Sequence, residues 1–310
     1  MSGTKKFDFT FILPTKDRED IFDNIDNCFS AFPKKYNIKI IIIDGNKTDF
    51  LSKNKFIQEN QYRISIIRQK KKGFMRACII GLENLETEFF TFMYDDDFLS
   101  ESFYLLYKKC IENKNVKYFV FGNGINLPKK NINVFEKSLN FIEFKKEEIL
   151  KYYFSSKKIN GKYLPVSPIC GIFNKRILNK WIDLLKSTFK NKLIFFYLMK
   201  KNIGPDLLLF LISINEADRI IYCKNNICKF SSHEDSMSIR YGRFNLNTGY
   251  WFARLIFFKS FFGNYNLLFK LRCYLFLFIK GFIYMSFQII NKNKFKKHTT
   301  KNFIKDALSK

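Results

Sequence analysis

Residues 38–43 read Ile-Lys-Ile-Ile-Ile-Ile, and few folds are open to a chain that carries such a run. A stretch this short, apolar and β-branched reads as a strand, and only a strand covered on both faces buries nearly all its side chains. Sheets of that kind are mostly parallel and need crossover helices. The flanking sequence supplies them. Residues 7–13 form a second apolar run, stopped by Pro14-Thr15. A helix follows with Ile21, Ile25, Cys28, Phe29 and Phe32 at helical spacing, Asp17 as its expected N-cap and Pro33 beyond its end. Residues 48–60 are predicted as helix and 64–67 as a short strand. After Gly73 a helix carries Met75, Ile79, Leu82 and Leu85 on one face. A strand over 89–94 runs directly into Asp95-Asp96-Asp97, followed by helix over 102–113 and strand over 117–122. The pattern predicts an α/β fold with a mostly parallel central sheet flanked by helices.

Beyond this point the signal is weaker. Residues 123–163 are expected to be loop-rich. Order returns over 167–173 and in a helix through Trp181, which reads as core. Another helix starts at Gly204-Pro205-Asp206 with an apolar body over 207–214, and a strand over 219–224 leads to Phe230-Ser231-Ser232-His233. From residue 246 the chain is dense in Phe, Leu and Lys without a strand signal, so two regions are expected: 1–245, and a basic, aromatic, helical region over 246–310. No internal repeat and no Pro- or Ser-rich linker separates them.

The chain's 310 residues suffice for one substantial core and a smaller region. A formal net charge of +26 raises the question of nucleic acid. Its lysines, however, are spread along the whole chain, as a general bias towards Lys, Asn, Ile and Phe would place them, and no nucleic-acid partner is expected. The charge does favour anionic ligands and anionic lipid surfaces. Seven cysteines form an odd set without a C-x-x-C pair, and Cys28 and Cys78 fall on apolar helical stripes, so buried reduced thiols are expected. With no export signal at the start of the sequence, the expected location is cytoplasmic.

Ligands of open α/β sheets bind outside the carboxyl ends of the strands. Two predicted strands end there in carboxylates, at Asp44 and at Asp95-Asp96-Asp97. Three consecutive aspartates repel one another unless a cation is present, and Mg²⁺ or Mn²⁺ is commonly held by one or two carboxylates together with diphosphate oxygens. The plainer reading is a solvated acidic turn capping the helix at Ser102.

The ordered series Phe11-Ile12-Leu13-Pro14-Thr15, Ile41-Ile42-Ile43-Asp44-Gly45-Asn46, a basic turn with Gly73, and Phe92-Met93-Tyr94-Asp95-Asp96-Asp97 resembles a family-2 glycosyltransferase. The resemblance implies a GT-A nucleotide-diphospho-sugar transferase fold over 1–245 and a metal-dependent, inverting transfer. The implied donor is a UDP-, GDP- or dTDP-sugar, and the acceptor a glycan or lipid-linked hydroxyl in surface-polysaccharide synthesis. Carried over by position, Pro14 and Thr15 border the nucleotide pocket, and Asp44 lies at the base and ribose end. Asp95 meets ribose or metal, and Asp97 is the metal ligand, with Mn²⁺ or Mg²⁺ as cofactor. Gly45 stands where the family has a second aspartate. Cys78 and Ile79 replace an arginine and an asparagine, leaving Arg76 or one of residues 70–72 for the anion. Asp206 matches the place of the catalytic base, with Pro205 where a glutamate is common; Pro and Asp are also simply a good helix start. His233 matches a metal- or diphosphate-contacting histidine, or is structural.

A nucleotidyltransferase would need a glycine-rich loop after the first strand, and residues 14–18 contain no glycine. A non-enzymatic basic binding protein leaves the ordered aspartates unexplained. In the C-terminal region, residues 273–290 would span about 27 Å as helix, and a mid-span Lys280 would cost ~2.5–3.5 kcal/mol in a bilayer. Two readings stand: helices lying in an anionic membrane interface, making this a peripheral enzyme, or helices packed onto the catalytic core.

Overall fold

The computed structural model describes residues 6–290 except 19–20, 71–72, 96, 128–134, 136–137, 156–157, 160, 162, 189–190 and 232–236. Strands β1 (Phe9–Thr15), β2 (Ile38–Asp44), β3 (Ile64–Arg68) and β4 (Phe89–Phe92) form the parallel core of the sheet, in the spatial order β3-β2-β1-β4. Every residue of β1 is buried. The helices α1 (Ile21–Ser30) and α3 (Phe74–Glu83) explain why. Helix α1 turns Ile21, Ile25 and Cys28 inward, and α3 turns Met75, Ala77, Cys78 and Leu82. Gly81 lets α3 approach β1 closely: a Cβ there would lie 2.3 Å from Ile12 Cγ2. On the other face Phe9 meets Phe11 at 5.1 Å, Phe32 at 5.0 Å and Tyr107 at 5.6 Å between ring centroids. The abundant phenylalanine is thus core-filling material.

The sheet continues beyond β4 through β8 (Gly171–Asn174), β6 (Tyr118–Leu127) and β9 (Arg219–Ser231) to the short β5 (Phe98–Leu99), with β7 (Phe141–Phe144) also paired to β9. Here the ladder is mixed: β8 is antiparallel to both neighbours, whereas β6 and β9 are parallel. Helix α8 (Pro205–Glu216) has buried residues all round from Leu207 to Ile214, as a central helix must. Its Phe210 meets Phe119, Phe121 and Phe173 of the strands. Helices α4 (Tyr104–Ile111), α5 (Lys146–Ser155), α6 (Leu178–Ser187) and the short α7 (Lys192–Phe195) also belong to the body. All seven cysteines are buried thiols.

Several expectations are corrected. Over 48–60 only α2 (Lys55–Glu59) is helical, because the Asn54 side chain caps Ile57 N–H and the preceding residues turn. Asp17 is not the cap of α1: it has φ +55° and donates its N–H to Asn46 Oδ1, four residues before the helix begins. The helix expected over 102–113 is α4 over Tyr104–Ile111, with Phe103 at its cap position and no side-chain cap bond. Among the described residues of 123–163, most lie in the end of β6, in β7 or in α5 rather than in loop. The strand expected over 219–224 runs on to Ser231, with the extra residues of an irregularity in β9, between Cys223 and Cys228, set against Asn123 of β6. Its Asn225-Asn226 pair reads locally as a turn, but Asn225 Oδ1 accepts from Asn140 N–H and the ladder continues.

Helices α9 (Met237–Phe261) and α10 (Leu267–Ile290) follow β9. Phe252, Ala253, Ile256 and Phe257 of α9 and Phe269, Cys273 and Leu277 of α10 are buried against the body. Among the described residues, no helix is long and apolar enough to cross a membrane.

Candidate active site

The register of the parallel strands brings their carboxyl ends level: Thr15 pairs with Asp44, and Asp44 with Arg68. Pro14 and Thr15 are buried at the end of β1, and Thr15 Oγ1 donates to Asp95 Oδ2 at 2.9 Å. Lys16 N–H reaches the same oxygen at 3.4 Å, and Arg18 Nε lies 3.9 Å from Asp95 Oδ1. Asp95 is therefore tied to the first strand across 80 residues of chain.

Asp44 is 1% exposed. Its Oδ1 accepts from Asn46 N–H at 2.8 Å, while Oδ2 has no hydrogen bond among the described residues and faces Arg68 at 3.6 Å. Asn46 Nδ2 is likewise buried without an acceptor. Buried polar atoms are normally satisfied, so an unsatisfied acceptor and donor two residues apart at a strand end suit a polar ligand edge. Gly45 donates its N–H to Thr15 O, and a Cβ there would sit 3.2 Å from that oxygen, which leaves little room for a second aspartate.

Asp97 is buried, and the turn around it is held from α1. Asn24 Nδ2 donates to Asp97 O at 2.6 Å, and Asn27 both accepts from Leu99 N–H and donates to Leu99 O. These two asparagines were not anticipated. The available signal was Asn24 on the inward stripe of α1 beside Ile21, Ile25 and Cys28. Asp96 and His233 lie outside the described residues. Arg76 is exposed on the first turn of α3.

Beside the acidic turn is a cavity of about 80 Å³. Phe74, Phe92, Tyr94 and Trp181 give it an apolar wall, Ser167 and Pro168 another side, and Asp206 and Asn202 its polar groups. Trp181, expected in the core, is buried and also part of this wall, where its Nε1 donates to Pro205 O at 2.9 Å. Asp206 stands at the first turn of α8, where Gly204 takes φ +110°. A Cβ on Gly204 would lie 2.6 Å from Gly249 O, so glycine here lets α8 and α9 meet closely. That contact brings Tyr250 to the carboxyl: its hydroxyl donates to Asp206 Oδ2 at 3.3 Å, and Leu207 N–H to Oδ1 at 2.8 Å. Burial raises the Asp206 pKa to about 6 against the lowering effect of these bonds. Tyr94 lies between the two acidic features. Burial pushes its hydroxyl well above the ordinary range, with further contributions from Cys78, Asp206 and Asp97. Tyr94 and Tyr250 were not foreseen; only the former, next to the acidic triplet, had a local signal.

Among the described residues no three His, Cys, Asp or Glu side chains converge as a metal-holding group. Asp95 and Asp97 offer two carboxylates. That number suits Mg²⁺ or Mn²⁺ only where a diphosphate completes the coordination.

Strand ends carrying carboxylates, a buried acidic turn and a carboxyl in an adjoining cavity are arranged on a sheet of the GT-A type. The chain belongs to glycosyl transferase family 2, whose model matches residues 10–181. The structure is similar to S. aureus TarS 1-349 in complex with UDP-GlcNAc, at 15% identity and a TM-score of 0.58, covering 96% of this chain and 77% of that one. The same TarS segment in complex with UDP gives 13% identity and a TM-score of 0.56, covering 96% and 76%. Against the longer S. aureus TarS chain the identity is 12% and the TM-score 0.53, with 80% of this chain and 39% of that one covered. This chain thus spans well under half of the longer TarS chain. No curated protein sequence matches it.

Proposed function

We propose that the chain transfers a sugar from a UDP-sugar to an acceptor hydroxyl by a single inverting displacement, with Asp206 as the base. The observation that carries this reading is the Asp206 carboxyl in the cavity wall, with a pKa of about 6 and close enough to Tyr94 to raise its pKa. A base with that pKa is ionised at neutral pH and still basic enough to accept a proton as it is released. The acceptor oxygen attacks the anomeric carbon, the bond from that carbon to the diphosphate oxygen breaks, and the hydroxyl proton passes to Asp206. The aromatic wall excludes water, which would otherwise compete as acceptor.

For the donor, the unsatisfied Asp44 Oδ2 and Asn46 Nδ2 match the N3–H and carbonyl of a uracil edge. The UDP and UDP-GlcNAc complexes of TarS support the same nucleotide. Pro14, Thr15 and Asp95 border the ribose and diphosphate, with Arg76 as a cation for the anion's outer oxygens. Asp97, with Asp95 and His233, would hold Mn²⁺ or Mg²⁺. Such an ion supplies Lewis-acid stabilisation of the departing diphosphate. The acceptor is a glycan or lipid-linked hydroxyl of a surface polysaccharide.

The test is turnover of UDP-sugars by the Asp206→Asn variant. Transfer and donor hydrolysis should fall by about 10²- to 10⁴-fold, while UDP affinity, measured calorimetrically with Mn²⁺ present, stays within a small factor. Undiminished turnover would remove Asp206 from the mechanism, and failure of the unsubstituted protein to bind UDP would remove the donor assignment.

A further inference from the structure

Helix α10 is apolar on two sides, and the protein uses only one of them. Phe269, Cys273 and Leu277 recur every four residues and are buried on α5 and α9. Trp251 Nε1 donates to Leu277 O at 2.8 Å, and Gly281 lies directly under the Trp251 ring, so the helix is fixed in rotation. Its outward side carries Leu267 (71% exposed), Leu271, Tyr274, Phe278 (63%) and Phe282 (71%). Spacings of three and four residues place these on one continuous stripe, roughly 22 Å long by the helical rise. A contiguous stripe of this kind on a folded protein marks something that covers it.

The surrounding charge distinguishes among possible covers. The sequence contains no Asp or Glu between Asp235 and Asp306. Across α10 the charged residues are Lys270, Arg272 and Lys280, all positive. A second copy of the chain docked face to face would set cations against cations. An anionic lipid surface supplies what the stripe lacks, with headgroups for the lysine and arginine side chains and acyl chains for the leucines and phenylalanines. Since no described helix is long and apolar enough to cross a bilayer, α10 would lie along the surface.

We infer that the outward face of α10 docks the protein onto anionic membrane surfaces, with Leu271, Phe278 and Phe282 entering the interface and Lys270 and Arg272, which flank the stripe at helical spacing, engaging the headgroups. This face is separate from the cavity at Asp206, and the inference stands independently of the donor and base assignments.

Co-sedimentation of the full chain with phosphatidylcholine vesicles, with and without phosphatidylglycerol, tests it. The chain should pellet with the phosphatidylglycerol vesicles and be released by added salt. The triple variant L271Q/F278Q/F282Q should bind these vesicles at least about tenfold more weakly. K270E/R272E, which leaves the apolar stripe intact, should also bind them more weakly. Because Leu271, Arg272, Phe278 and Phe282 are exposed, both variants should keep the parent's melting temperature, which separates loss of docking from loss of fold. The inference is overturned if the unsubstituted chain ignores the vesicles, if the triple variant binds as well as the parent, or if phosphatidylglycerol makes no difference. A dimer abolished by the triple substitution, without vesicle binding, would instead assign the face to a second copy.

Discussion

The Asp206 carboxyl begins α8, where a helix N-terminus and two hydrogen bonds favour its ionised form, yet burial outweighs them and lifts its pKa to about 6. The group then binds its proton more tightly in the folded chain than in the unfolded one, where an aspartate titrates near 3.9. Folding stability therefore falls as the pH rises from about 4 to about 6, and the whole penalty is present above that. Asp206→Asn should raise the melting temperature at pH 8 and leave it little changed at pH 4, even as it abolishes turnover. A melting temperature lowered equally at both pH values would mean that the side chain serves the fold through its bonds to Leu207 and Tyr250. In the unsubstituted enzyme, activity should rise with pH through the same region, as the base ionises.

At the scale of elements, the contact between α3 and β1 depends on one missing methyl group. Gly81→Ala places a Cβ 2.3 Å from Ile12 Cγ2, and Ile43 lies on the same side, so the helix must lift. We expect a loss of about 1–3 kcal/mol, read by denaturant unfolding. Catalytic efficiency should fall with it, because Phe74, Met75 and Cys78 of the same helix line the cavity; an unchanged midpoint would show that the helix has slack. This element also shows what could be read beforehand. The runs forming β1, β2 and β4 were legible because strands buried on both faces carry unbroken apolar sequence, and the aspartates were legible because strand ends are where an open sheet binds ligands. The helix start at Asp206 was legible from Pro205 and the apolar body beyond. By contrast, the β6–β9 ladder joins residues about a hundred positions apart and leaves no local pattern. The same holds for Tyr250, which reaches Asp206 only because Gly204 and Gly249 bring two helices together. Arg68 fell just past the short strand expected over 64–67; its position against Asp44 follows from register alone. The one-sided exposure of α10 depends on what packs beneath it.

Taken as a whole, the molecule packs its two long helices onto the body, α9 on α8 beside Asp206 and α10 on α5 and α9, and those helices are joined to the body by aromatic side chains. Phe154 of α5 meets Phe257, Phe262 and Phe276, and Phe262 stacks on Phe269 at 5.4 Å. Removing residues 263–310 would uncover this cluster, at roughly 1.5–3 kcal/mol for each large side chain returned to water. The shortened protein should melt at a clearly lower temperature and expose sites for an apolar dye; a truncated chain as stable as the parent would make the last helix an independent appendage. Helix α9 is the strut between Asp206 and α10. Tyr250 touches Asp206, the proposed base, and the next residue, Trp251, grips the outer helix through Leu277 and Gly281. Successive residues of a helix point about 100° apart, so one peptide unit divides the outward-looking machinery from the chemistry. A tilt of the outer helix thus has a route to the carboxylate that bypasses the sheet, and the surroundings of the protein's outer face and the basicity of its centre are mechanically adjacent.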